Sequence, residues 1–199
     1  MSFSIRRPSQ SQIAACLAVR ADAPFTYPEI GATRGGRSAL PASVTRDYNV
    51  DRHETVLGTG RARFERARTA LLDWRSFAIR WLELHGDSSP VREGRVVATL
   101  VRAAGLWSLN PCRVVYVIDA PDEPSCTTAF AYGTLPGHAE IGEERFLVAW
   151  ERETDVVRYE ILAFSRPGHP LSRVGYPYAR RLQKRFGGSS LAALAHAAR

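Results

Sequence analysis

Between residues 127 and 166 apolar and polar side chains alternate in three runs, broken at Pro136-Gly137-His138-Ala139-Glu140 and at Glu151-Arg152-Glu153-Thr154-Asp155. Alternation bounded by turn residues predicts an antiparallel meander of three strands. Upstream, residues 95–101 and 112–118 read as two more strands, joined through residues 103–107, with a turn at Asn110-Pro111. Residues 53–58 read as a further strand, while 25–34 are extended at best and 35–52, rich in glycine and polar residues, form a long surface loop. The period changes to 3.6 in three places. Residues 9–20 predict a short helix capped by Ser9 or Ser11. From Arg61 the face Phe64, Ala67, Leu71, Trp74, Phe77 predicts a long helix, with Thr59 as N-cap, continuing through Trp81 and Leu84 to Gly86. Leu171, Val174, Tyr178, Leu182 and Phe186 predict a last helix that Gly187-Gly188 ends.

Strand, long helix, five antiparallel strands and a long amphipathic helix make an α+β order: a curved antiparallel sheet wrapped around the C-terminal helix, with a cavity between the two layers. The 199 residues suit a single domain, with an extension to residue 24, a core over 25–186 and a tail over 187–199.

Counting across the turns gives the registers, where a slip of one residue would invert every face. Closing the first hairpin on Pro136–Ile141 sets Thr134 opposite Glu144, Tyr132 opposite Phe146 and Phe130 opposite Val148. Closing the second near Glu151–Thr154 sets Val148 opposite Tyr159, Phe146 opposite Ile161 and Glu144 opposite Ala163. The inner face then carries Phe130, Tyr132, Phe146, Val148, Trp150, Val157, Tyr159 and Ile161, and the outer, solvent-facing side Arg145, Leu147, Arg158 and Glu160. Glu144 is an acid on the apolar face. A buried carboxylate without a partner costs several kcal/mol or takes up a proton, so Arg166, Arg34, Arg113 and His138 are its candidate partners. Either Glu144 belongs to a structural ion pair plugging one end of the sheet, or it is a polar anchor at the mouth of an apolar pocket. In the second case Tyr132, Phe146 and Tyr159 would line the ligand's body, and Thr134, with His138, Ser165 and Arg166 near, would help Glu144 orient its head.

The net charge of +7 comes almost wholly from arginine, Lys184 being the only lysine, and the acids are interspersed among the bases. The one dense basic cluster, Arg180-Arg181 with Lys184-Arg185, reads as a solvated helix face, so the balance argues against nucleic acid as a partner. Cys16, Cys112 and Cys126 form no CxxC pair, the usage of buried thiols in a reduced compartment, and no metal or cofactor is expected. His138 and Glu140 lack a third metal ligand in sequence. Gly58-Thr59-Gly60 lacks the rest of a dinucleotide or P-loop fingerprint. No apolar run reaches membrane-span length, and the stretch after Arg6-Arg7 lacks a signal-peptide cleavage site, which makes a cytoplasmic location the expectation.

Several phrases together carry a resemblance: Tyr27-Pro28-Glu29-Ile30-Gly31-Ala32-Thr33-Arg34, the Gly58-Thr59-Gly60 helix entry with Trp74, Cys112-Arg113-Val114-Val115-Tyr116-Val117, Phe130-Ala131-Tyr132-Gly133-Thr134-Leu135-Pro136-Gly137-His138, Gly142-Glu143-Glu144-Arg145-Phe146 and Ala163-Phe164-Ser165-Arg166-Pro167. The chain resembles, from Tyr27 to Phe186, the bacterial and plant family known as a domain of unknown function, DUF 1990. That family is similar to the START and birch-pollen-allergen superfamily, whose helix-grip fold holds hydrophobic ligands. The resemblance implies a helix-grip protein binding an apolar or amphipathic small molecule between sheet and C-terminal helix. The alternatives are an enzyme on the same fold, of cyclase or hydrolase type, using Glu144 or His138 as acid or base, and an interaction module using the basic helix.

Overall fold

The computed structural model describes residues 3–86, 90–122, 126–169 and 175–199. Seven antiparallel strands lie in the order β2-β8-β7-β6-β5-β4-β3, where β2 is Asn49–Thr59, β3 Leu82–Gly86, β4 Val96–Ala103, β5 Leu106–Ala120, β6 Thr127–Thr134, β7 Glu140–Glu151 and β8 Val156–Pro167; β1 (Phe3–Ser4) adds to β5. Helices α1 (Gln10–Ala18), α2 (Ala42–Asp47) and α3 (Arg61–Leu72) precede or flank the sheet, and α4 (Tyr176–Ala197) crosses its inner face. First strand, short helix, six-strand meander and returning C-terminal helix make the helix-grip plan. No helix among the described residues is long and apolar enough to cross a membrane.

The inner face is as the alternation predicts. Phe130, Phe146, Val148, Val157, Tyr159 and Ile161 are at most 1% exposed and join one core with Phe64, Leu71, Trp74 and Phe77. The β7–β8 register is the predicted one, with Val148 opposite Tyr159, Phe146 opposite Ile161 and Glu144 opposite Ala163. The β6–β7 register differs by two residues: Phe130 faces Phe146 and Tyr132 faces Glu144. Because side chains repeat every two residues, a slip of two leaves both faces unchanged. The turn is two residues tighter than predicted, and the Thr134 hydroxyl accepts the Gly142 N–H (3.0 Å) where it closes.

The outer face is not a solvent face. Residues 25–48, expected to be an extended stretch and a loop, fold back over it as successive tight turns and α2, burying Tyr27, Val44 and Tyr48 against Phe164. Under this cover Arg145 is 6% exposed and pairs with Glu160. Arg158, further out, stays exposed. Helix α1, capped by Ser9 with Gln12 reciprocating, covers β4 and β5 through Ile13.

Four further expectations are corrected. The helix from Arg61 ends at Leu72, because Trp74 adopts a left-handed backbone (φ 59°) that no helix continues through, and Leu82 and Leu84 belong to β3. Gly60, at φ 85°, takes the N-cap place instead of Thr59. The β4–β5 turn is Ala104-Gly105, both at positive φ, and the strand runs on through Asn110-Pro111. Helix α4 does not stop at Gly187-Gly188 but continues to Ala197, with Leu194 and Ala198 fully buried, so the supposed tail is core. Leu171 and Val174 lie outside the described residues.

Candidate functional site

Two adjacent acids on β7 point to opposite faces. Glu143 looks outward, is 2% exposed, and takes four hydrogen bonds from the covering segment: Tyr27 Oη (2.8 Å) and Gly31 N (2.7 Å) on one oxygen, Thr33 N (3.0 Å) and Thr33 Oγ1 (2.5 Å) on the other. Gly133, directly opposite Glu143, leaves room for this arrangement, since a Cβ there would stand 2.1 Å from Tyr27 Oη. Donors on both oxygens satisfy the buried charge without a cation.

Glu144 looks inward. The registers set it in a row across four strands: Tyr132 on β6, Glu144 on β7, Ala163 on β8 and Asp51 on β2. Strand spacing of about 4.8 Å separates the Glu144 and Asp51 backbones by about 10 Å, with a single methyl between them. Ala163 keeps accessible surface although its strand is flanked on both sides and crossed by α4, and Glu144, Asp51 and Ser165 around it are also partly exposed. This partly exposed row, at one end of the grip, is the candidate recess.

The roof is α4, through a face that its hydrophobic pattern did not single out. Tyr176, Arg180, Gln183, Gly187, Ser190 and Leu194 follow helical spacing and meet the sheet. Tyr176 Oη donates to Asn49 Oδ1 (2.9 Å), Arg180 grips Asp51 with both terminal nitrogens (2.6 Å for Nη2 to Oδ1), and Gln183 Nε2 donates to Ser165 Oγ (2.9 Å). Gly187 lies on the His53 ring, and Ser190 Oγ meets Tyr159 Oη at 2.9 Å. The predicted stripe is turned aside. Phe186 packs 5.6 Å from Phe77, Leu182 is partly exposed, and Tyr178 is 44% exposed.

Glu144 accepts a hydrogen bond from Tyr132 Oη (2.6 Å). Burial pushes its carboxyl up to about 7, the negative charge of Asp51 adds to the rise, and the Tyr132 hydroxyl opposes it. Burial also pushes Glu140, at the entrance on the same face, up to about 7 against the pull of Arg180. The expected cationic partners of Glu144 are engaged elsewhere: Arg166 stacks over Tyr48 (4.8 Å) on the outer face, Arg34 over Tyr116 (4.3 Å), and Arg113 over Phe25 (4.4 Å). His138 Nδ1 accepts the Glu140 N–H (2.9 Å), and burial lowers its pKa to about 4, so the ring is neutral.

Of the residues expected at the site, Tyr132, Glu144 and Ser165 come together around the recess. Thr134 is a strand-end group shared with Gly142 and Thr26, and Arg166 is on the other face. Phe146 and Tyr159 lie deeper, where Phe77 fills the space at 5.3 Å from Phe146 and 5.9 Å from Tyr132. Asp51, Ala163, Arg180 and Gln183 were missed. Alternation carried two residues back from His53 would have put Asp51 on the inner face, and spacing of four and three from Tyr176 would have found Arg180 and Gln183. Two surface grooves lie away from this row, about 430 Å³ between α1 and β3, lined by Ile13, Leu17 and His85, and about 510 Å³ beside α3, lined by Glu65, Arg66 and Asp73. Neither includes a residue of the row.

The sequence profile of the family described as "Domain of unknown function (DUF1990)" matches residues 26–193. A "UPF0548 protein" of Dictyostelium discoideum is 34% identical over 194 residues, covering 92% of this chain and 90% of that protein. A "UPF0548 protein" of Deinococcus radiodurans is 37% identical over 195 residues, covering 92% of each. Among solved structures, the hypothetical protein jhp0584 of Helicobacter pylori superposes with a TM-score of 0.52 at 12% identity, over 88% of this chain and 96% of that one, a likeness of fold alone.

Proposed function

This chain belongs to the DUF1990 family, and we propose that it binds a small amphipathic molecule at the recess, the polar head among Tyr132, Glu144, Ser165 and the Asp51–Arg180 pair and the apolar part along Leu182. The observation that carries this reading is the accessible surface that Ala163 keeps, with Glu144, Asp51 and Ser165, on the sheet face that α4 crosses. Well-packed interiors leave few voids larger than a water molecule, and a recess with convergent polar groups and a displaced carboxyl pKa is the usual form of a ligand site. The apolar body does not run down the sheet past Phe146 and Tyr159, because the protein's own aromatic rings occupy that space.

Native mass spectrometry of gently purified protein tests this. The expected result is a co-purifying small molecule on the wild type that is missing from Ala163→Leu, whose larger side chain fills the recess while circular dichroism stays unchanged. Glu144→Gln weakens binding more than Arg158→Gln, the surface control. Bare wild-type protein that responds to no member of a metabolite panel, or equal effects of the two glutamine variants, would count against the proposal.

One observation favours a second reading. A carboxyl pushed up to about 7 across one strand from the Arg180-paired Asp51 has the division of labour of an acid–base pair, so the site suits proton transfer on a bound substrate. The basic helix supports a macromolecular interface less well, since Arg180 turns inward to Asp51 and Arg185 lies over Trp81 at 4.6 Å.

A further inference from the structure

The charges around the recess specify the kind of head group. Asp51 and Arg180 neutralise one another through a two-pronged contact. Glu144 and Glu140 then remain on the inner face of β7 with no cation given wholly to either, Arg180 acting on Glu140 only at a distance. The other groups facing Glu144 bring no positive charge at neutral pH: Cys112 from β5, Tyr132 from β6 and Tyr159 from β8 are all pushed up by burial. His53, from β2, is packed under Gly187 one row further along the sheet. An anion entering this space would have to pull Arg180 from Asp51 and meet two carboxyls. A cation would find an acceptor oxygen on Glu144, the neighbouring Ser165 hydroxyl and a second carboxyl at the entrance.

We propose that the head group taken by this recess is a protonated amine. The proposal rests on the binding reading above and adds the chemical class of the ligand. An ammonium donates hydrogen bonds and carries one charge, which matches the Glu144 carboxylate and the Ser165 hydroxyl, while Glu140, four residues away on the same face of β7, adds negative charge at longer range. Arg180 holds Asp51 as the fixed wall opposite. Leu182, partly exposed on the flank of α4, offers an alkyl or aryl tail an apolar surface.

Three probes of equal length test this by titration calorimetry: hexylamine, hexan-1-ol and hexanoate. Binding an ammonium requires Glu144 to be ionised, so hexylamine affinity rises about tenfold between pH about 6 and about 8, while hexan-1-ol binds more weakly and independently of pH. Hexanoate does not bind the wild type. Glu144→Gln weakens hexylamine and flattens its pH profile, whereas Glu140→Gln weakens it and leaves the profile sloped. Asp51→Asn, which frees Arg180, lets hexanoate bind. Hexan-1-ol binding as tightly as hexylamine, hexanoate binding best, or a flat hexylamine profile in the wild type would overturn the amine assignment and leave the pocket standing. Failure of all three probes to bind would overturn both.

Discussion

Glu143 and Glu144 are neighbours in sequence with opposite surroundings, and their mutants separate the two roles. Four donors converge on Glu143, so Glu143→Ala strands Tyr27, Thr33 and two backbone N–H groups under the covering segment and lowers stability by about 3 kcal/mol or more in urea unfolding. Glu144→Gln goes the other way. Its carboxyl is raised in the folded state to about 7, so the unfolded chain releases the proton first as pH rises. The native state therefore loses stability relative to the variant between pH about 4.5 and about 7, reaching up to about 3 kcal/mol and then levelling. Equilibrium unfolding at pH 5 and pH 8 checks this, and a difference between wild type and variant that does not grow with pH would contradict it. Alternation was enough to turn Glu144 inward. It could not show that Glu143 is the satisfied structural acid, because its donors arrive from residues 27–33, more than a hundred positions away, in turns with no period to read. The phrases that carry the family resemblance meet here: Tyr27 and Thr33 on Glu143, with Tyr116, Gly133 and Phe164 around them.

Among the elements, α4 departs most from its sequence pattern. The stripe Tyr178, Leu182, Phe186 is the stronger hydrophobic signal, yet the helix lays its small and polar stripe on the sheet, where Gly187 and Ser190 permit close approach. The two adjacent glycines therefore differ. A Cβ on Gly187 would stand 2.5 Å from the His53 ring, while one on Gly188 would meet nothing within 4 Å. Gly188→Ala stabilises the protein by about 1 kcal/mol through helix propensity, and Gly187→Ala destabilises it by about 1–3 kcal/mol through overpacking, both read from thermal unfolding. The β-meander was legible because its alternation is long and its turns are marked. Residues 82–86 were not, because Leu82 and Leu84 in so short a run satisfy either period, and the left-handed Trp74 that ends α3 has no sequence signature.

At the scale of the whole molecule, the last turns of α4 close the structure. Leu194 and Ala198 are fully buried, and Arg63 and Arg66 both donate to the Ala198 carbonyl. Deleting residues 187–199 removes this contact and the cover over Tyr159, so the shortened chain is expected to lose its cooperative unfolding transition, whereas the full chain unfolds in one step. The same geometry holds the two ends of α4 differently. Its C-terminal half is packed in apolar core, and its first half is tied to β2 and β8 by polar pairs around an open recess. Ligands are expected to enter at that recess. Backbone amide chemical-shift mapping on titration with hexan-1-ol, which carries no charge, tests it directly. The largest shifts are expected at Tyr132, Glu144, Ala163, Asp51 and Leu182; shifts gathered instead at Ile13, Leu17 and His85, in the groove beside α1, would contradict it.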